Sequence, residues 1–273
     1  VTAVLLPGVP SECRYLAEHC LLPYLARLHG QVIRSHDLRI FGLTEPQVQE
    51  LLPDLLRRED DLTLAPYAGT GEVSLHLSAR AADEAACEAR MAPLLAEVRQ
   101  RLGGYLYGED ISGLEEAAFR LCRDRHLTLS AAESCTGGLI AKRLTDVPGA
   151  SQIFLGGVVS YTNEVKNHVL GVPASLLEAY GAVSAPVARA MAVGVRVLTG
   201  SDLAVSVTGL AGPGGDDRGT PVGTVFTALS APEGVFVRRL TLGGSRERIR
   251  VLSAHHAFDL LRRYLTDQMT EGE

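Results

Sequence analysis

Ser134 stands in the segment Ala132-Glu133-Ser134-Cys135-Thr136-Gly137-Gly138, and Lys166 follows later in the chain. Those two residue types suit acyl transfer. A hydroxyl is a weak nucleophile until a neighbouring base takes its proton, and a desolvated lysine can be that base. Lysine is scarce: the chain holds 24 Arg and two Lys, Lys142 and Lys166. Arginine keeps its proton, so it can hold an anion but cannot accept a proton. Tyr161, just before Lys166, can bring a phenol to the same place. Thr208 opens the run Thr208-Gly209-Leu210-Ala211-Gly212-Pro213-Gly214-Gly215, which continues to Pro221-Val222-Gly223. Backbone N–H groups in such a loop can face an anion or fold over a ligand, and long loops in compact domains tend to be functional. Gly243-Gly244-Ser245-Arg246, followed by Arg248 and Arg250, places a guanidinium for a phosphate. Each feature alone has a plainer explanation: a chance lysine, a serine N-cap, a half-buried tyrosine, a hairpin connection, a solvated helix face. Cys135 is a rival nucleophile, because thiols at helix starts become acidic.

The elements that must position these groups read as follows. Residues 127–132 form a short strand, and Thr136-Gly137-Gly138 lead into a helix that ends before Pro148. Unpaired N–H groups at that helix start can hold a phosphate or a developing oxyanion. Gly137 and Gly138 permit close backbone approach. The spacing is neither GxSxG nor a Walker loop. Further strands are expected at 153–161, 203–208, 224–229 and 235–240, with helices over 186–198 and 246–265. Alternation of this kind predicts a three-layer α/β unit. Upstream, a strand at 31–40, a helix over 44–58, strands at 62–66 and 73–77 and a helix over 81–102 predict a small α+β unit. Val4-Leu5-Leu6 reads as a strand fragment ahead of a helix over 11–28.

Composition bounds the rest. A chain of 273 residues favours two domains. At 46% apolar and 21% charged it has an ordinary globular make-up, and its net charge of −6 argues against broad nucleic-acid binding. No apolar run approaches the ~20 residues that span a bilayer, and the opening residues lack the basic start of a secretion signal. Five scattered cysteines with no CxxC pair argue for a reducing, cytoplasmic setting without disulfides or structural zinc. No metal or cofactor is expected.

Residues 131–265 resemble the amidase domain of the CinA (competence/damage-inducible) family, the nicotinamide-nucleotide amidases. The resemblance rests on AESCTGG at 132–138, PGAS at 148–151, Tyr161 and Lys166, GAVS at 181–184, TGLAGPGG at 208–215, PVGTV at 221–225 and GSR at 244–246. One departure is Gly244-Ser245-Arg246, where the family more often has an acidic residue before the arginine. Residues 29–104 are similar to the family's KH-like middle domain, and 1–28 look like the tail of its molybdopterin-binding-like first domain. The implied organisation is a remnant at 1–28, a KH-like unit at 29–104, a linker at 105–112 and an α/β/α amidase domain at 113–273. The implied activity is hydrolysis of the carboxamide of nicotinamide mononucleotide to nicotinate mononucleotide and ammonia, in pyridine nucleotide salvage. The resemblance makes Ser134 the nucleophile and Lys166 the base, supported by Ser151, Tyr161 and Thr208, with Tyr161 the alternative relay for the proton. It assigns substrate binding to Thr136, Gly137, Gly138, Ser151, Gly209, Gly212 and Arg246. It also implies a homodimer. The alternative is a non-catalytic nucleotide-binding module in competence or DNA-damage response. Nucleic acid is not an expected partner, since residues 29–104 carry no basic GxxG loop.

Overall fold

The structure, a computed structural model, describes residues 2–28, 30–59 and 61–269; the expected domain limits at Val1, His29 and Glu273 lie outside them. Residues 2–9 hold no regular element, so the strand expected at Val4-Leu5-Leu6 is absent: it has no neighbouring strand to pair with, and Leu5 is exposed. A helical stretch follows, α1 (Pro10–Leu16), a π-helical turn (Ala17–Leu21) and α2 (Leu22–Leu28).

The first sheet is antiparallel. It contains β1 (Val32–Phe41), β2 (Arg57–Arg58), β3 (Leu62–Ala68), β4 (Glu72–Ala81) and β5 (Leu106–Glu109), in the order β2-β3-β4-β1-β5. β4 alternates between buried and half-buried residues, with Val73, Leu75, Leu77 and Ala79 facing inward. That face is covered by α3 (Glu45–Leu51) and α4 (Glu84–Leu102), which contribute Val48, Met91, Leu94, Leu95 and Val98. The helix expected over 44–58 is short. Thr44 and Gln47 form a capping box at its start, and Pro53 two residues past its end cannot continue it. The segment expected to be a linker includes β5, which pairs with β1 and lies on the sheet edge.

The second unit contains α5 (Leu114–Asp124), β6 (Leu129–Glu133), α6 (Leu139–Asp146), β7 (Phe154–Val159), α7 (Asn163–His168), α8 (Ala174–Tyr180), α9 (Ala185–Thr199), β8 (Leu203–Gly209), β9 (Thr224–Ala231), β10 (Gly234–Thr241) and α10 (Arg246–Leu265). Its sheet runs β10-β9-β8-β6-β7. β6 is parallel to both β7 and β8, while β9 and β10 return antiparallel. α5, α6 and α10 share one hydrophobic cluster, with Leu114, Phe119, Ile140, Ile249 and Phe258 packed on the sheet. On a separate cluster, α9 packs Val187, Met191 and Val195 at helical spacing. This is the expected three-layer α/β arrangement with a smaller α+β KH-like unit before it. The chain leaves β6 toward β7 on one side and returns to β8 on the other. The carboxyl ends of β6 and β8 therefore form a topological switch point, where open α/β sheets bind ligands.

The two units touch through α10. Phe41 of β1 meets the rings of His255 and His256 edge-on, and Arg262 Nη2 donates to the Gly104 carbonyl at 3.1 Å. Among the described residues no helix is long and apolar enough to cross a membrane.

Candidate active site

Ser134 is the first residue after β6, and its N–H donates to Val207 O at 2.9 Å, which continues the pairing with β8. The chain then turns sharply. Gly137 and Gly138 have φ of +62° and +94°, values that side chains with a Cβ rarely adopt. A buried carboxylate holds the turn: Glu133 accepts from the N–H groups of Gly138 (3.0 Å), Ile140 (3.1 Å) and Ala141 (2.9 Å). From the other side Arg250 of α10 donates to the carbonyls of Cys135 (3.2 Å) and Thr136 (2.8 Å). Glu133 thus occupies the start of α6, the place where the sequence suggested an open anion site. Among the described residues the N–H groups of Cys135 and Thr136 donate to no other residue.

Lys166 sits in the last turn of α7 and is 1% exposed. Its Nζ lies 3.1 Å from Ser134 Oγ and donates to Ser160 O at 2.6 Å. Ser160 is fixed in turn, because its N–H donates to Glu133 O at 2.8 Å. Burial pushes the Lys166 ammonium down to about 8, against a smaller opposite effect of Cys135. Burial, rather than the helix start now neutralised by Glu133, is therefore the force that favours the neutral form of this amine. A neutral Nζ can keep its bond to Ser160 O and turn its lone pair to the Ser134 hydroxyl. Burial pushes the Cys135 thiol up to about 11, so it is a thiol and not a thiolate at neutral pH.

A cleft of about 220 Å3 opens over the pair, lined among others by Ser134, Cys135, Tyr161, Lys166, Thr208, Gly209, Gly212 and Arg246. Tyr161 is exposed at its rim, and its hydroxyl accepts from Arg246 Nη2 at 3.0 Å. Arg246 also donates to Gly212 O. Thr208 is buried at the end of β8 and spends its hydroxyl proton on Ala182 O at 2.8 Å. Ser245 is the N-cap of α10 and accepts from Arg248 N at 3.2 Å, which fixes the helix start that carries Arg246. Thr136, Gly137, Gly138 and Ser151 do not line this cleft: the Thr136 hydroxyl is buried without a partner among the described residues, and Ser151 is exposed on a 3-10 turn. A larger groove of about 830 Å3 lies along α5, but its Arg120 and Glu116 are paired with each other and Ser134 is not in its walls.

The sequence model of the CinA C-terminal domain matches residues 111–265, and that of the CinA KH domain matches 35–108. The chain belongs to the CinA family. This CinA-family chain is 47% identical over 262 residues to a competence-damage inducible protein of Caldanaerobacter subterraneus, covering 96% of the chain and 63% of that relative. It is 48% identical over 274 residues to one of Symbiobacterium thermophilum, covering 96% of the chain and 64% of the relative. It therefore spans less than two-thirds of these relatives' length. Among solved structures, a CinA superfamily protein from Klebsiella pneumoniae has a TM-score of 0.55 at 31% identity, covering 57% of this chain and 99% of that one. A competence/damage inducible protein from Agrobacterium tumefaciens has a TM-score of 0.53 at 40% identity, covering 56% and 95%.

Three supporting residues were not singled out from sequence for what they do here. Glu133 lies inside the AESCTGG run, yet only the fold shows its carboxylate capping the helix after the turn. Ser160 acts through its carbonyl, which leaves no mark in residue type. Arg250 lies four residues after Arg246, the i,i+4 spacing that puts both on one helix face, and that spacing was the available signal.

Proposed function

We propose that this chain hydrolyses the carboxamide of nicotinamide mononucleotide, giving nicotinate mononucleotide and ammonia. The observation that carries the reading is the buried Lys166 Nζ at 3.1 Å from Ser134 Oγ, inside a cleft. Neutral Lys166 takes the hydroxyl proton as Oγ attacks the carboxamide carbon. The N–H of Cys135, which follows the nucleophile in a residue lining the cleft and donates to no other residue among those described, is the donor for the developing oxyanion. The C–N bond breaks and Lys166 returns its proton to the leaving nitrogen, so ammonia departs and an ester on Ser134 remains. Water attacks the ester and gives a proton to Lys166, which passes it to Ser134 Oγ as the ester C–O bond breaks, so the carboxylate leaves and both residues return to their starting state. Arg246 at the rim can exchange its bonds to Tyr161 and Gly212 for a phosphate.

The test is incubation with nicotinamide mononucleotide, following ammonia and nicotinate mononucleotide together. Wild type should release both in equal amounts, Ser134→Ala should release neither, and Cys135→Ala should stay within about threefold of wild type. Activity that survives Ser134→Ala and is lost in Cys135→Ala would transfer the nucleophile to the thiol. Tight binding of the nucleotide without ammonia release would make the chain a binding module instead.

A further inference from the structure

The loop from Gly212 to Gly223 forms part of the cleft wall, through Gly212 and Gly214. Another part is Ala182 and Val183, which follow α8 after Gly181. One side chain ties the two together. Arg218 reaches the last turn of α8, where its guanidinium donates to the carbonyls of Ala179, at 3.1 Å, and of Glu178. Carbonyls at a helix end lack intrahelical partners and carry partial negative charge, so a cationic fork suits them.

The loop is shaped to make this contact. Asp216 Oδ1 accepts from the N–H groups of Arg218 (3.1 Å) and Thr220 (2.9 Å), which fixes the turn that presents Arg218. Gly181, immediately after α8, leaves room for it: a Cβ there would lie 2.8 Å from Arg218 Cδ and 2.9 Å from Nε. At the other end of the loop the Gly212 carbonyl is held by Arg246. The loop is therefore anchored by one arginine that lines the cleft at its rim and by another outside it.

We propose that Arg218 is a positioning residue that latches the 212–223 loop to the end of α8, sets the width of the cleft and so selects which carboxamides enter. Arg218 is exposed and touches none of the reacting groups, so its effect passes through the loop. Its kinetic readout rests on the amidase reading; its structural readout does not.

The experiment compares wild type with Arg218→Ala, Arg218→Lys and Gly181→Ala. In Arg218→Ala, KM for nicotinamide mononucleotide should rise about tenfold with kcat within about twofold, and bulkier carboxamides should gain in relative kcat/KM. Amide hydrogen exchange across 212–222 should quicken in Arg218→Ala and Gly181→Ala. Arg218→Lys, which keeps the charge but not the fork, should restore part of both effects. Unchanged KM and unchanged loop exchange in Arg218→Ala would overturn the latch while leaving the amidase standing. If wild type releases no ammonia, the amidase reading fails by itself. The latch is then decided by loop exchange and by the rate at which a serine-directed sulfonyl fluoride modifies Ser134. Equal values in wild type and Arg218→Ala overturn it.

Discussion

At the scale of single residues, burying Lys166 carries a cost to the fold. A lysine in the unfolded chain keeps its ordinary value of 10.5, whereas burial holds it at about 8 in the folded one. Between those values the unfolded state binds more protons, so stability rises with pH across that window and the full penalty is present below it. The penalty is at most about 3 kcal/mol, and losing the bond to Ser160 O returns about 1 kcal/mol of it. Lys166→Met should therefore be inactive yet melt several degrees higher than wild type near pH 7, with the gain fading toward about pH 10. Thermal melts of both proteins across that range check it; a lower melting temperature for the variant near neutral pH would show that burial of the amine is not the cost. On the proposed mechanism the same amine sets the pH dependence of turnover. Since the neutral form is the base, kcat/KM should climb with pH and level off above about 8. Lys166→Arg should remain folded and be inactive, because a guanidinium stays protonated.

At the scale of elements, the turn after β6 is held by opposite charges from two directions, Glu133 on the N–H side and Arg250 on the carbonyl side. Glu133→Gln keeps the shape but aims an amide NH2 at N–H donors, so it should cost about 2–3 kcal/mol and lower kcat more than it raises KM. A melt and a kinetic run on one preparation decide it; unchanged values in both would remove Glu133 from the support of Ser134. Much of this architecture was legible beforehand. Val73, Leu75 and Leu77 alternate as a half-buried strand should, and β6, β8, β9, β10, α9 and α10 fall close to where apolar periodicity puts them. What was not legible has identifiable physics. Val4-Leu5-Leu6 has strand residues but no strand to pair with. α7 and α8 span fewer than two turns, too few for an apolar repeat to stand out. β5 exists because β1 offers it an edge, a tertiary cause that four residues cannot announce. Within the site, the residue types of Ser134 and Lys166 suggested their chemistry, and the fold adds their 3.1 Å approach and the desolvation of the amine.

At the scale of the whole molecule, the connection between the two units carries a titratable clasp. Both ring nitrogens of His36 on β1 face carboxylates: Nε2 is 3.0 Å from Glu88 of α4 and Nδ1 is 2.6 Å from Asp110, between β5 and α5. A neutral imidazole has one N–H and can serve only one of them. The Glu88 and Asp110 hydrogen bonds raise the His36 pKa, and Asp110 is lowered through the same contact despite its own desolvation. Asp110 further accepts from Asp37 N at 2.9 Å, while the Asp37 carboxylate turns to His76 at 3.0 Å, so the clasp sits among several charges. Because the folded value lies above the unfolded one, the clasp contributes fully below about pH 6.5 and is lost as pH rises through the raised value. The partners are largely open to water, which limits the contribution to under about 1 kcal/mol. His36→Gln should thus melt slightly below wild type at about pH 5.5, the gap should close as pH rises through the raised His36 value, and it should narrow in about 1 M salt. A gap of constant size across that range would mean that His36 acts by packing between β1 and α4 and not by its charge.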